Sequence, residues 1–211
     1  MNSILAVAAA LIAVSDAGHV PLPEPSMDNP ATLMEALSQR ATTRSFSAEP
    51  LTPELLSGVL WAAFGVNRPD SEKRTAPSAM NMQEIDIYAA TAQGLFLYDP
   101  FTHSLSKLSN DDLREISGMQ PFVGTAPLEL IFVADYSRMG TGSRGMSEEA
   151  KLFYSACDAG FISQNVYLFC AVNGLGTVVR GAVDRETLAR AMGLPSHMNI
   201  VLAQTVGFPE E

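Results

Sequence analysis

An α+β fold is predicted by three features of this 211-residue chain. Helical and strand periodicities are mixed along it, without the strict alternation that a doubly wound sheet requires. Residues Leu128 to Ala134 read as an apolar run and hence as a central strand, and a hairpin pattern precedes them. From Ser147 to Asn173 runs the longest helical pattern, apolar on almost every face. A helix of that kind is buried all round, and one chain has too few elements to cover it. A two-fold homodimer with a large interface is the expected way to bury it.

The elements follow in order. Ile4 to Val14 is an unbroken apolar run, and Ser15 and Ala17 stand two apart before Gly18. Residues 1–17 therefore read as a secretory signal peptide, although Met1-Asn2-Ser3 carries no Lys or Arg. The run is too short to span a bilayer. The alternative is an apolar N-terminal helix docked on a partner subunit. Pro21, Pro23, Pro25 and Pro30 mark residues 18–30 as an extended linker. Asn29-Pro30 then reads as the cap and first residue of a helix ending at Arg40, and the globular domain is taken as 31–211. Thr52-Pro53 opens a second helix that Gly65 closes. Residues 66–80 read as a polar loop. Ile85, Ile87 and Ala89 alternate as a strand, and Leu95–Tyr98 and Ser104–Leu108 flank a hairpin turn at 99–103. Asn110-Asp111-Asp112 reads as the cap of a short helix, and 139–146 as a Gly- and Ser-rich loop. Beyond the long helix, Thr177 to Gly181 is a short strand, Asp184 caps a helix to Met192, and Ile200 to Phe208 is a last strand.

Composition excludes several classes of function. The net charge of −10 argues against a non-specific nucleic-acid binder, which needs a basic face. Hydrophobic residues at 47% and charged ones at 17% describe a globular chain. Cys157 and Cys170 fall on one helix, roughly 20 Å apart at about 1.5 Å per residue, too far for an internal disulfide. They read as buried apolar thiols. The three histidines, His19, His103 and His197, are scattered, and no zinc-binding spacing exists, so no metal is expected.

Two segments carry chemistry. Arg40, Thr42 and Arg44 alternate just past the first helix, so an extended backbone would aim them to one side. A phosphate monoester needs such a set of cations, hydroxyls and backbone donors. The bland alternative is a helix-terminal Arg followed by a solvated one. The second segment, Pro77-Ser78-Ala79-Met80-Asn81-Met82-Gln83, is a turn with an amide pair at alternate positions. It suits a flat heterocycle with an edge of donors and acceptors. Together the two suggest flavin mononucleotide (FMN). Gln164 and Asn165 read as satisfied polar groups at a subunit interface, His103 as exposed, and Trp61 as core. Tyr136 either lines a substrate or packs.

With these residues in view, the chain resembles the nitroreductase superfamily, most closely its branch related to the oxidases of azoline-peptide biosynthesis. The family's Arg-x-Ser-x-Arg/Lys-x-Phe pattern corresponds to Arg40, Thr42, Arg44 and Phe46. Its Pro-Ser-x-x-Asn-x-Gln corresponds to Pro77, Ser78, Asn81 and Gln83. The branch's Leu-Trp-Ala-Ala stands at 60–63, its Arg-x-Ala-Pro-Ser at 74–78, its Gly-Leu-x-x-Tyr-Asp-Pro hairpin from Gly94, and its Gln-Asn-x-Tyr-Leu helix end from Gln164. The likeness runs in register over about residues 31–208.

The resemblance implies a central, mostly antiparallel sheet flanked by helices, in an intertwined homodimer with FMN between subunits. It assigns the phosphate to Arg40, Thr42 and the Ala41 backbone, and the flavin N1/O2 edge to Arg44. Pro77, Ser78, Ala79 and Asn81 would contact the ring edge and ribityl chain from the partner subunit, with Gln83 supporting their loop. The turn Val179-Arg180-Gly181-Ala182 would lie against the ring. No side chain is required as an acid or base, since the flavin carries the hydride. The implied activity is hydride exchange between a small-molecule donor and an acceptor such as a nitroarene or quinone. Azoline dehydrogenation and non-catalytic flavin binding are the alternatives. Two departures stand out. The ring-side turn lacks the acidic residue of some relatives, and the chain ends in Glu210-Glu211 where relatives carry basic residues over the phosphate.

Overall fold

A computed structural model describes residues 18–140 and 145–210. The segment read as a signal peptide and part of the loop at 139–146 lie outside the described residues. Nine strands form a seven-stranded sheet and a separate two-stranded hairpin. The strands are β1 (His19–Pro21), β2 (Val66–Arg68), β3 (Lys73–Arg74), β4 (Ile85–Thr91), β5 (Gly94–Asp99), β6 (Ser104–Ser109), β7 (Leu128–Asp135), β8 (Gly176–Arg180) and β9 (Met198–Gly207). The large sheet has the order β1-β6-β5-β4-β7-β9-β8, and every neighbouring pair is antiparallel. The helices are α1 (Leu33–Gln39), α2 (Pro53–Phe64), α3 (Glu148–Val172) and α4 (Arg185–Met192).

The central strand β7 is buried at all eight positions, because both faces of the sheet are covered. Leu130, Phe132 and Ala134 join α2 and α3 on one face, through Leu56, Val59, Leu60, Ala159, Ile162 and Val166. Ile131 and Val133 join α4 on the other, through Leu188 and Val183. This is the expected α+β architecture, with helices on both faces of an antiparallel sheet.

Several local expectations are corrected. The segment at 18–30 is extended but is not simply a linker, since β1 pairs with β6 at the sheet edge. The first helix begins three residues later than Asn29-Pro30 predicts. Thr32 accepts from the Glu35 amide (3.2 Å) while Glu35 accepts from the Thr32 amide (2.7 Å). That reciprocal cap satisfies two helix-end donors at once, whereas Asn29 turns back onto the Ala31 amide. The polar loop at 66–80 contains the β2–β3 hairpin. Beyond Asn110-Asp111-Asp112 there is only a 3-10 turn at Glu115–Ser117, because Asp112 is taken up by Arg114 at 2.7 Å. His103 is not exposed. Its ring joins Tyr98 Oη (2.9 Å), Ser57 Oγ (2.7 Å) and the Pro23 carbonyl (3.1 Å), fastening the N-terminal strap to the hairpin. Cys170 is buried as predicted, but Cys157 is exposed on the single chain.

The long helix α3 is only partly covered. Asp158, Ala159, Ile162, Val166 and Tyr167 are buried, while Leu152, Phe153 and Phe161 are 61%, 63% and 49% exposed. Leu33 and Met34 of α1 add 64% and 72%. An apolar surface of this extent is the mark of an interface.

Candidate functional site

The first half of the site is built where the chain leaves α1. The backbone runs alongside β8, with the Thr43 amide donating to the Thr177 carbonyl at 3.1 Å. Gly176 permits that approach, because a Cβ there would fall 2.8 Å from the Thr43 side chain. Tyr167 of α3 then ties three pieces together. Its hydroxyl accepts from the Val179 amide (3.1 Å) and bonds the Thr42 hydroxyl (3.1 Å), and its ring lies 5.4 Å from the Arg40 guanidinium. Arg40 and Thr42 thus converge with the Val179 turn, as the alternation predicts. Among the described residues Arg40 enters no ion pair, and Ala41 and Thr42 are exposed. A guanidinium with no ion pair among the described residues, beside an exposed hydroxyl residue and exposed backbone, fits a phosphate.

Arg44 does not join them. It lines a separate surface groove with Phe46, Phe122, Thr125 and Glu210. Arg180 is the clearest correction within the ring-side turn. The residue is 4% exposed, and its side chain is ion-paired with the fully buried Glu129 and donates to the Ser117 carbonyl at 2.9 Å. Thr205 donates to the other Glu129 oxygen at 2.8 Å. Burial pushes the Glu129 carboxyl up, to about 7, against the pull of Arg180. Such a guanidinium is spent in the core and has no reach to a phosphate. Only the backbone of Arg180 remains available beside Val179, Gly181 and Ala182. Gly181 and Ala182 are exposed.

The second half is the loop Pro77–Gln83. Its backbone takes positive φ at Met80 (51°), Asn81 (55°) and Gln83 (50°). Left-handed backbone at non-glycine positions persists only when its surroundings fix it. Gln83 does much of this. Its amide donates to Ser78 Oγ (3.0 Å), and its side chain accepts from Arg74 Nε (2.8 Å) and donates to the Glu72 carbonyl (3.0 Å). This is the supporting role expected of it. Asn81 accepts from the same side chain at 3.3 Å and is exposed.

Beneath the loop lies an acid pair that the sequence did not reveal. The Ala79 amide donates to Asp158 Oδ2 at 2.8 Å. Asp158 and Glu84 are 2% and 0% exposed. Burial, then the neighbouring Asp158, raises the Glu84 carboxyl to about 7. A protonated Glu84 can donate to Asp158, and that satisfies groups which as two carboxylates would repel. The readable signal was an acid inside an otherwise apolar helix.

Within one chain the halves meet opposite faces of α3. Asp158 serves the loop and Tyr167, nine residues on, serves the phosphate segment. Nine residues are about two and a half turns, so the two side chains point in opposite directions. Gln164 is exposed on this helix and Asn165 half-buried, while Tyr136 packs against the core. No group of three or more His, Cys, Asp or Glu side chains poised for a metal occurs among the described residues. Nor is any described helix long and apolar enough to cross a membrane.

Comparison with known proteins agrees with this fold. A crystal structure of a nitroreductase from Ralstonia eutropha superposes with a TM-score of 0.86 at 42% identity, covering 94% of this chain and 93% of that one. A Methanocaldococcus jannaschii protein named as a nitroreductase is 32% identical over 162 residues, 71% of this chain and 78% of its own. The FMN reductase [NAD(P)H] of Bacillus subtilis is 23% identical over 189 residues, 85% of this chain and 66% of its own. The nitroreductase family profile matches residues 37–208. The chain is therefore a member of the nitroreductase family.

Proposed function

We propose that this protein is an FMN-dependent oxidoreductase that passes hydride between a reduced donor and a small organic acceptor of the nitroarene or quinone type. The observation that carries the reading is the convergence of Arg40, Thr42 and the Val179 amide on Tyr167, with Arg40 in no ion pair among the described residues. Arg40, Thr42 and the Ala41 backbone would hold the phosphate. FMN, when bound, would supply hydride transfer at N5. The chain's own part is to bind, orient and exclude water. Arg40 would neutralise the phosphate, the Val179–Ala182 backbone would hold the ring, and the Pro77–Gln83 loop would help enclose it.

The uncovered faces of α1 and α3 support a homodimer in which that loop comes from the partner subunit. Opposite orientation of Asp158 and Tyr167 on α3 favours the same arrangement. Azoline dehydrogenation would need a basic or tyrosyl group at N5, and the Tyr167 hydroxyl is already spent between Thr42 and Val179. The N-terminal apolar run would export the enzyme. An exported form would need a donor other than the cytosolic nicotinamides, or would run as an oxidase.

The test is an anaerobic visible spectrum of the purified protein. Flavin absorbance that bleaches with NADPH or another two-electron donor, and returns on adding a quinone, supports the reading. Protein that is colourless and stays so after FMN addition overturns it.

A further inference from the structure

The sheet opens at a point the flavin reading does not use. β4 and β5 are paired only from Tyr88↔Leu97 to Thr91↔Gly94. Beyond that, Ile85–Ile87 and Tyr98–Asp99 splay apart and a cleft of about 510 Å³ opens between them. Its walls are largely apolar, from Phe64, Ile85, Ile87, Leu97 and Phe101, and its charged groups are Arg74, Arg138, Asp86 and Asp99.

Hydrogen-bond accounting distinguishes these four. Both Asp86 oxygens accept from Arg138 at 2.9 Å. Arg138 is further used by the Gln83 carbonyl (3.0 Å) and Asp135 (3.2 Å). Asp99 accepts from the Phe101 amide and the Thr102 hydroxyl, each at 2.8 Å. Arg74 is different. It is 6% exposed, and among the described residues its Nε donates to Gln83. Its Nη1 is buried with none. The guanidinium is held between Phe64 and Phe101, at 5.3 and 4.3 Å from the ring centroids. A buried donor without a partner is destabilising, and an acceptor supplied from the cleft would relieve it.

From this cleft we infer a binding site for a small organic carboxylate with a flat apolar body, anchored by Arg74. The guanidinium fork matches a planar carboxylate. The apolar walls and the rings of Phe64 and Phe101 accept the body of the ligand. Asp86 and Asp99 nearby disfavour a doubly charged anion such as phosphate. The site is distinct from the Arg40–Thr42 phosphate segment and does not depend on FMN. It borders the flavin loop, because Met82 and Gln83 line the cleft and Gln83 also holds Arg74.

The test is calorimetric titration of the full-length protein, as isolated, with benzoate, benzamide and inorganic phosphate. Visible flavin absorbance is followed in parallel. Benzoate should bind at least about tenfold tighter than benzamide or phosphate, the difference expected of a charge-assisted fork. Arg74→Gln should abolish that preference, and Arg74→Lys should retain part of it because the charge survives without the fork. Phe101→Ala, at a 58% exposed turn residue, tests the wall without removing the anchor and should weaken benzoate and benzamide alike. Equal binding of benzoate and benzamide, or a benzoate affinity unchanged in both Arg74 variants, overturns the proposal. Loss of flavin absorbance on adding benzoate would assign the carboxylate to the flavin segment, and overturns it as well.

Discussion

The two halves of the candidate site are held by different physics. The Arg40–Arg44 segment is exposed and fastened by neutral contacts, namely one backbone bond to Thr177 and the Tyr167 hydroxyl. The Pro77–Gln83 loop has three residues in left-handed backbone and is fastened by buried polar groups, namely Gln83, Arg74, Asp158 and Glu84. The first half keeps its charge uncommitted for a ligand. The second uses buried polar groups to hold its own shape, with the Arg74 Nη1 left unpartnered. Phosphate affinity should therefore be sensitive to single cations, and loop geometry to pH and to buried neighbours.

The largest expected effect breaks that symmetry through pH. Glu84 is raised to about 7 from an ordinary 4.5 by burial and by Asp158, so the folded chain holds a proton the unfolded chain has released between those values. Stability is fully present below about 4.5, falls as pH rises, and levels off above about 7. A shift of that size corresponds to roughly 3 kcal/mol. Glu84→Gln should remove about half of the pH dependence, because Glu129 is raised in the same direction to the same value of about 7 and remains. Denaturant melts at several pH values measure it, and an unchanged slope would show that Glu84 is not the group.

Next in size, Arg40→Ala should weaken FMN binding by about 1.5–3 kcal/mol, the range for a hydrogen bond to a charged group. The fold should be untouched, since Arg40 anchors nothing in the core. Titration calorimetry beside a thermal melt separates the two effects. Tyr167→Phe should cost about 1–2 kcal/mol of stability, because the Val179 amide loses its acceptor. It should also loosen FMN, as Thr42 is no longer held. The smallest effect belongs to Arg44→Gln. An exposed side chain beside Glu210 should change FMN affinity by less than about 0.5 kcal/mol. Spectroelectrochemical titration sharpens this. A lowered two-electron potential would return Arg44 to the N1/O2 edge, and an unchanged one keeps it in its own groove.

Much of this was legible from residue order. Thr52-Pro53, Ser147 and Asp184 each cap the helix expected of them, because a short polar side chain before an apolar stripe has one efficient use. The alternation predicts one side for Arg40, Thr42 and Arg44; Arg40 and Thr42 both meet Tyr167, while Arg44 lines another groove. Three-dimensional closure supplied the rest. Arg180 and Glu129 are 51 positions apart, and only the packing of β8 and β7 on either side of β9 brings them together. Glu129 itself was absorbed into an apolar run. The Asp158–Glu84 pair joins residues 74 positions apart, which no local pattern displays. Thr32 displaced Asn29-Pro30 as a cap because Glu35 lies at the right offset to answer it.

The most direct test of the central claim, a flavin site shared across two chains, is complementation between two damaged chains. Arg40→Ala removes the phosphate half and Asn81→Ala the loop half. Co-expressed with different affinity tags and purified as the mixed dimer, the two variants combine both lesions in one site and leave the other site intact. Equilibrium titration should then find one FMN site per mixed dimer at wild-type affinity, although each variant alone has none. If the mixed dimer shows no wild-type site, both halves act within a single chain, and the shared-site account is wrong.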